Sequence, residues 1–167
     1  MVEQDPLKVK VRGSIPRRLI FYQPILLKKK CYTIIEHTAD IGVAVEAGDL
    51  AGIFVNAAVA MFDIMAERRA AVPPESRSKL NVTLSAARPD ELLIRWLNEL
   101  LSLSGAKGLI FVDYQVHHLD DKCLDISVVG ENVSYYRFNA EIKAATYHDL
   151  KLVKQASSCK AKVIFDV

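Results

Sequence analysis

The sequence predicts an α+β fold: a single domain in which an antiparallel or mixed β-sheet carries two main helices packed on it. Two stretches repeat apolar side chains at helical spacing. Strand-like runs come before, between and after them. The strand candidates of the C-terminal half follow one another with no helix between them, so they pair as neighbours and not through crossovers.

Element by element, YTIIE at 32–36 suits a strand, and IGVAVEA at 41–47, rich in small and β-branched residues, suits a second. Gly48-Asp49 opens the first helix with Asp49 as its cap. Leu50, Ile53, Phe54, Ala57, Ala58, Met61, Phe62 and Met65 form one apolar face. That helix is expected to end before Val72-Pro73-Pro74. In KLNVTLSAA, 79–87, Leu80, Val82 and Leu84 alternate with Asn81 and Thr83, which is a strand pattern. Pro89 starts the second helix, whose stripe is Leu92, Leu93, Trp96, Leu97, Leu100 and Leu101. Arg95, Asn98, Glu99 and Ser102 lie beside or opposite that stripe, and Gly105 and Gly108 end it. Five strands are then expected, LIFVDYQVHHL, CLDISVVG, SYYRFNAEIKAAT, LKLVKQ and AKVIFDV, with DD, GEN and SS as turn signals between them.

The chain has 167 residues, 51% hydrophobic and 25% charged, enough for one domain with a buried core. Its net charge of +2 is unevenly placed. Residues 1–30 hold eight Lys and Arg against two acids, +6, which leaves −4 for residues 31–167. The first thirty residues, broken by Gly13, Pro16 and Pro24, read as a basic, flexible extension, and residues 31–167 as the folded domain. A mildly acidic body argues against broad electrostatic binding of RNA or DNA by that body.

Cys31, Cys123 and Cys159 are odd in number and form no CxxC pair, which argues against a disulfide framework or a structural zinc site and suits a reducing cytoplasm. No run is long enough to span a bilayer. LIFYQPILL at 19–27 is short, interrupted by Gln23 and Pro24, and followed by KKK, so it is a poor signal peptide. His117 and His118 are neighbours on a strand and should point to opposite faces, one buried and one exposed.

Three stretches carry chemistry. EHTADIG at 36–42 interrupts the apolar runs with Glu36, His37 and Asp40. A turn Asp either caps its own backbone or faces a ligand, and the residues alone leave both open, the cap being the commoner. KVIFDV places Asp166 beside the carboxylate of Val167; two carboxylates so close repel unless a hard cation intervenes or the tail frays. EIKAATYHDL at 141–150 sets Lys143 among small and apolar residues, where it needs an anion or a route to solvent, with His148 and Asp149 close behind.

HTADIG, WLNELL, EIKAATYHDL and a chain stopping at VIFDV, in that order, resemble the archease family, and the resemblance covers residues 32–167. It implies a metal-binding activator of the tRNA-splicing RNA ligase, not an enzyme. Such an activator promotes guanylylation of that ligase, supports its multiple turnover and broadens its nucleotide choice. The implied metal, calcium with magnesium or manganese as alternatives, would be held by Asp40, Asp166 and Val167. His37, Glu99, Lys143 and His148 lie in matching motifs and would orient those carboxylates, balance their charge or meet the partner. RNA would be met only through the ligase. Two other readings compete: a metal-dependent phosphohydrolase, for which a general base beyond His37 or His148 is lacking, and an RNA-binding, chaperone-like module, favoured by the basic extension but not by the acidic body.

Overall fold

A computed structural model describes residues 31–36 and 39–167. The order is β1 (Tyr32–Glu36), β2 (Asp40–Ala47), α1 (Leu50–Met65), β3 (Ala66–Arg68), β4 (Arg77–Ser85), α2 (Pro89–Lys107), β5 (Leu109–Leu119), β6 (Cys123–Asn132), β7 (Tyr136–Phe138), β8 (Ala144–Lys154) and β9 (Cys159–Asp166). All pairings are antiparallel, in three sheets: β1-β2-β9-β8, β4-β6-β5 and the small β3-β7 pair. The α+β expectation holds, with the strands divided among three sheets.

Both helices form for the reasons their sequence gives. The Asp49 carboxylate accepts the Gly52 amide at 2.8 Å, a cap worth about 1 kcal/mol. Pro89 occupies the first turn of α2, Asp90 and Glu91 complement its positive end, and Gly108 ends it at φ 62°, a left-handed conformation that glycine adopts without strain. Each helix packs against both larger sheets. Ile53, Phe54, Ala57 and Met61 of α1 and Leu92, Leu93, Trp96 and Leu97 of α2 are fully buried. The helices are pinned to each other where Trp96 Nε1 donates to the Phe54 carbonyl at 3.0 Å, so the indole buries its ring without stranding its N–H.

The first helix ends at Met65, before Val72-Pro73-Pro74 as expected, because Ala66–Arg68 leaves it to pair with β7. Two strand expectations need correction. SYYRFNAEIKAAT is not one strand: Tyr136–Phe138 joins β3, while Ala144 onward joins β9. Between them the Asn139 amide donates to the Met65 carbonyl at 2.8 Å, tying the connection to the end of α1. LKLVKQ is the later part of that same β8. There, the six residues from Thr146 to Lys151 span what three residues of β9, Lys162 to Ile164, span, a large bulge with Asp149 at φ 50°.

The GEN stretch is not a turn either. Glu131 lies inside β6, opposite Arg77 and Ile110, and its side chain is 0% exposed. Arg68 Nη2 meets it at 2.5 Å, Arg77 Nε donates at 3.0 Å, and the Tyr136 hydroxyl donates to the same carboxylate. The Arg68 guanidinium also sits 5.9 Å from the Tyr136 ring centre. Burial, then the bond to Glu131, pushes the Tyr136 hydroxyl from 10.0 up to about 12. The cluster fastens the β3-β7 pair to the β4-β6-β5 sheet.

His117 and His118 are both exposed, contrary to the alternating expectation, because the pairing shifts between Val116 and His118. Among the described residues the cysteines form no disulfide; Cys159 is buried, Cys31 half-buried and Cys123 exposed. Among the described residues no helix is long and apolar enough to cross a membrane.

Candidate metal centre

The site is a consequence of register. β2 and β9 run antiparallel with Val43 opposite Val163, and each step outward keeps the pairing until Asp40 stands directly opposite Asp166. Directly opposed side chains in an antiparallel pair have Cβ atoms about 5 Å apart, a distance at which two carboxylates repel. Both residues are half-buried, so solvent screens that repulsion only in part.

Gly42, two residues into β2, lets the strands close. A Cβ there would meet Ile164 at 3.1 Å and Ile35 at 3.2 Å, so both isoleucines pack across the glycine, next to the carboxylate pair. On the far side of β9, Ala144 pairs with Asp166. The Lys143 amide donates to the Asp166 carbonyl at 2.8 Å, and Lys143 Nζ donates to a Val167 oxygen at 2.9 Å. The ammonium of Lys143 thus holds Val167, the residue that follows Asp166, while the Lys143 backbone holds Asp166 itself.

A helix side chain aligns that strand end. Asn98 of α2 accepts from the Ala145 amide at 2.8 Å and donates to the Ala145 carbonyl at 3.0 Å, standing in for a missing strand partner at the start of β8. Sequence reasoning passed over Asn98; its only signal is an asparagine, a weak helix former, in the middle of an apolar-striped helix.

The structure therefore brings together Asp40, Asp166, Val167 and Lys143. Glu99 is elsewhere on α2, half-buried along a shallow groove of about 400 Å³ with Arg95, Asn98 and Tyr147. His148 stands exposed on the β8 bulge, beside Asp149, whose carboxyl is pulled below its ordinary value by its hydrogen bond to Lys162. Neither residue lies on the strand ends that carry Asp40 and Asp166. His37 lies outside the described residues.

The donor set fits a hard cation. Among the described residues no three His, Cys, Asp or Glu side chains converge on one point; beside Asp40 and Asp166, Val167 is the residue whose oxygen would add a third donor. All the donors are then oxygens, which suits calcium, magnesium or manganese and not zinc.

Fold and site define a small α+β protein with an oxygen-only, carboxylate-rich strand end. Residues 32–167 match the Archease protein family (MTH1598/TM1083). Similar proteins include the archease of Methanosarcina acetivorans, 33% identical over 144 residues that span 83% of this chain and 97% of that one. The archease of Thermococcus gammatolerans is 35% identical over 124 residues, 71% of this chain and 85% of the other. The solution structure of protein 1598 of Methanobacterium thermoautotrophicum superposes with a TM-score of 0.62 at 26% identity, over 83% of this chain and 99% of that one. A Thermotoga maritima crystal structure, described as an archease and possible chaperone, shares the fold with a TM-score of 0.57 at 20% identity, over 80% of this chain and 94% of that one. The chain belongs to the archease family.

Proposed function

We propose that this chain is a metal-binding activator of a tRNA-splicing RNA ligase, acting in the cytoplasm, and not itself an enzyme. The observation that carries the reading is the direct opposition of Asp40 and Asp166, with Val167 beside them, in a member of the archease family. Two like charges held across one rung cost stability unless something else needs them there. Asp40, Asp166 and Val167 would hold a divalent cation, calcium foremost. Bound there, the ion supplies positive charge toward the phosphates of a nucleotide. Lys143 partly balances the carboxylates and holds the Val167 end in place. Asn98 fixes the backbone from which Lys143 extends, through both hydrogen-bonding groups of Ala145. Docked at the ligase, this strand end would favour guanylylation and repeated turnover, and would widen the choice of nucleotide.

The phosphohydrolase reading is weaker. The arrangement that most resembles a nucleophile and base is His117 Nε2 at 2.7 Å from Ser127 Oγ. That hydroxyl donates to Asn81 Oδ1 at 2.7 Å, so its proton points away from the imidazole.

The test is multiple-turnover ligation by the ligase from the same source, supplied with GTP and metal. Wild-type protein is expected to carry the ligase through many cycles. Asp40→Ala and Asp166→Ala, shown folded by circular dichroism, are expected to leave it near a single turnover. A wild-type protein without effect on its own ligase would falsify the reading.

A further inference from the structure

The two faces of the β1-β2-β9-β8 sheet are unlike. The inner face carries Val43, Val45, Val163 and Phe165, at most 2% exposed, against the helices. The outer face carries no helix among the described residues. It forms a shallow groove of about 730 Å³ with an uncharged floor that includes Thr33, Ala44 and Val153, and with Lys151, Lys160 and Lys162 around it. Val153 is 48% exposed there. Lys160 pairs with Glu46 at 3.2 Å and Lys162 with Asp149 at 3.1 Å, while Lys151 makes no ion pair among the described residues. Asp166 projects from the same side of β9 as Lys160 and Lys162, since side chains two apart share a face. A partner seated over Asp40 and Asp166 therefore lies along this groove.

We propose that the groove is a docking surface for an acidic, aliphatic segment of the protein partner. The inference rests on the activator reading for the identity of that partner, the ligase. Charge and floor select the occupant. The chain's own residues 1–30 carry +6 and would set like charge against the lysines. A second copy docked about a two-fold axis would oppose lysine to lysine. RNA strands are held by aromatic platforms as well as cations, and the one aromatic residue among the groove's described lining, Tyr32, is buried with its hydroxyl donating to Asp63 of α1 at 3.1 Å, so its ring offers no stacking face. Aliphatic side chains on the floor with carboxylates at the rim satisfy both features.

The experiment titrates full-length protein into the ligase by calorimetry at two salt concentrations, beside the ligation assay. Lys151→Glu breaks no ion pair and is expected to weaken binding about fivefold, most at low salt, with Lys151→Arg restoring it. The concentration giving half-maximal activation should rise by the same factor. Unchanged affinity in Lys151→Glu and in the Lys151/Lys160/Lys162 triple Glu variant, with wild-type activation intact, would overturn the docking inference and leave the activator reading standing. A 3′-phosphorylated RNA oligonucleotide bound by wild type and lost in Lys151→Glu would overturn it in favour of nucleic acid. Self-association lost in that variant would overturn it in favour of a second copy. Wild-type protein that neither binds nor activates the ligase removes the activator reading and the docking surface together.

Discussion

Two acidic regions of this molecule are built on opposite principles. Glu131 is completely buried, and two arginines and a tyrosine meet it from β3, β4 and β7. Asp40 and Asp166 are half-exposed, face each other across a rung, and have Lys143 bonded to the neighbouring Val167. The first charge is compensated by side chains of the fold itself, so removing Arg68, Arg77 or Tyr136 leaves the buried Glu131 short of a partner. The second has no such side-chain partners among the described residues, and in the proposed function an external cation compensates it. A buried carboxylate here is architecture, while the exposed pair is the candidate site.

The comparison is broken most directly at Glu131. Glu131→Ala is expected to cost about 3 kcal/mol in urea unfolding, because Arg68 and Arg77 lose their anion, although both still reach water. A change below about 1 kcal/mol would mean that the cluster contributes little to stability. Next comes the metal. Calcium at a hundred times its Kd is expected to stabilise the wild type by about 2.7 kcal/mol and Asp40→Asn not at all. In chelator, the same variant should match or slightly exceed wild-type stability, since it relieves the opposed charges. Equal calcium shifts for both proteins would place the ion elsewhere.

Alkaline unfolding sharpens the contrast further. Tyr136 has a folded pKa raised from 10.0 to about 12, so its contribution is fully present below pH 10 and is lost as pH rises through about 12. Tyr136→Phe should flatten the loss of stability across that window by about 1 kcal/mol, discounted for solvent at a half-buried hydroxyl. Tyr32 and Tyr114, also raised by burial, will share the remaining slope. The smallest effect concerns Asp149, an exposed carboxylate met by one surface lysine. Asp149→Gly should leave the urea midpoint indistinguishable from wild type, relief at φ 50° offsetting the lost surface ion pair.

Local signals reached some elements and missed others for identifiable reasons. LIFVDYQVHHL is β5 over its whole length, and Asp49, Pro89 and Gly108 mark helix ends because caps are local chemistry. SYYRFNAEIKAAT misled because alternation says that residues are extended, not which strand they pair with. Glu131 was hidden for a related reason: its counter-charges, Arg68 and Arg77, are 63 and 54 residues away. Asp40, Asp166 and Val167 were named through family resemblance. Composition and spacing supplied only the oddity of an acid in a turn and an acid at a strand end, and the register that opposes them is a tertiary fact.

β9 follows every other element in the chain, yet it lies inside its sheet, between β2 and β8. During synthesis β2 and β8 emerge first and have no partner between them until residues 159–166 leave the ribosome. Sheet closure is therefore a late, long-range step. A product that stops before residue 159 would lack the strand that joins β2 to β8 as well as Asp166, and is expected to be open to proteolysis.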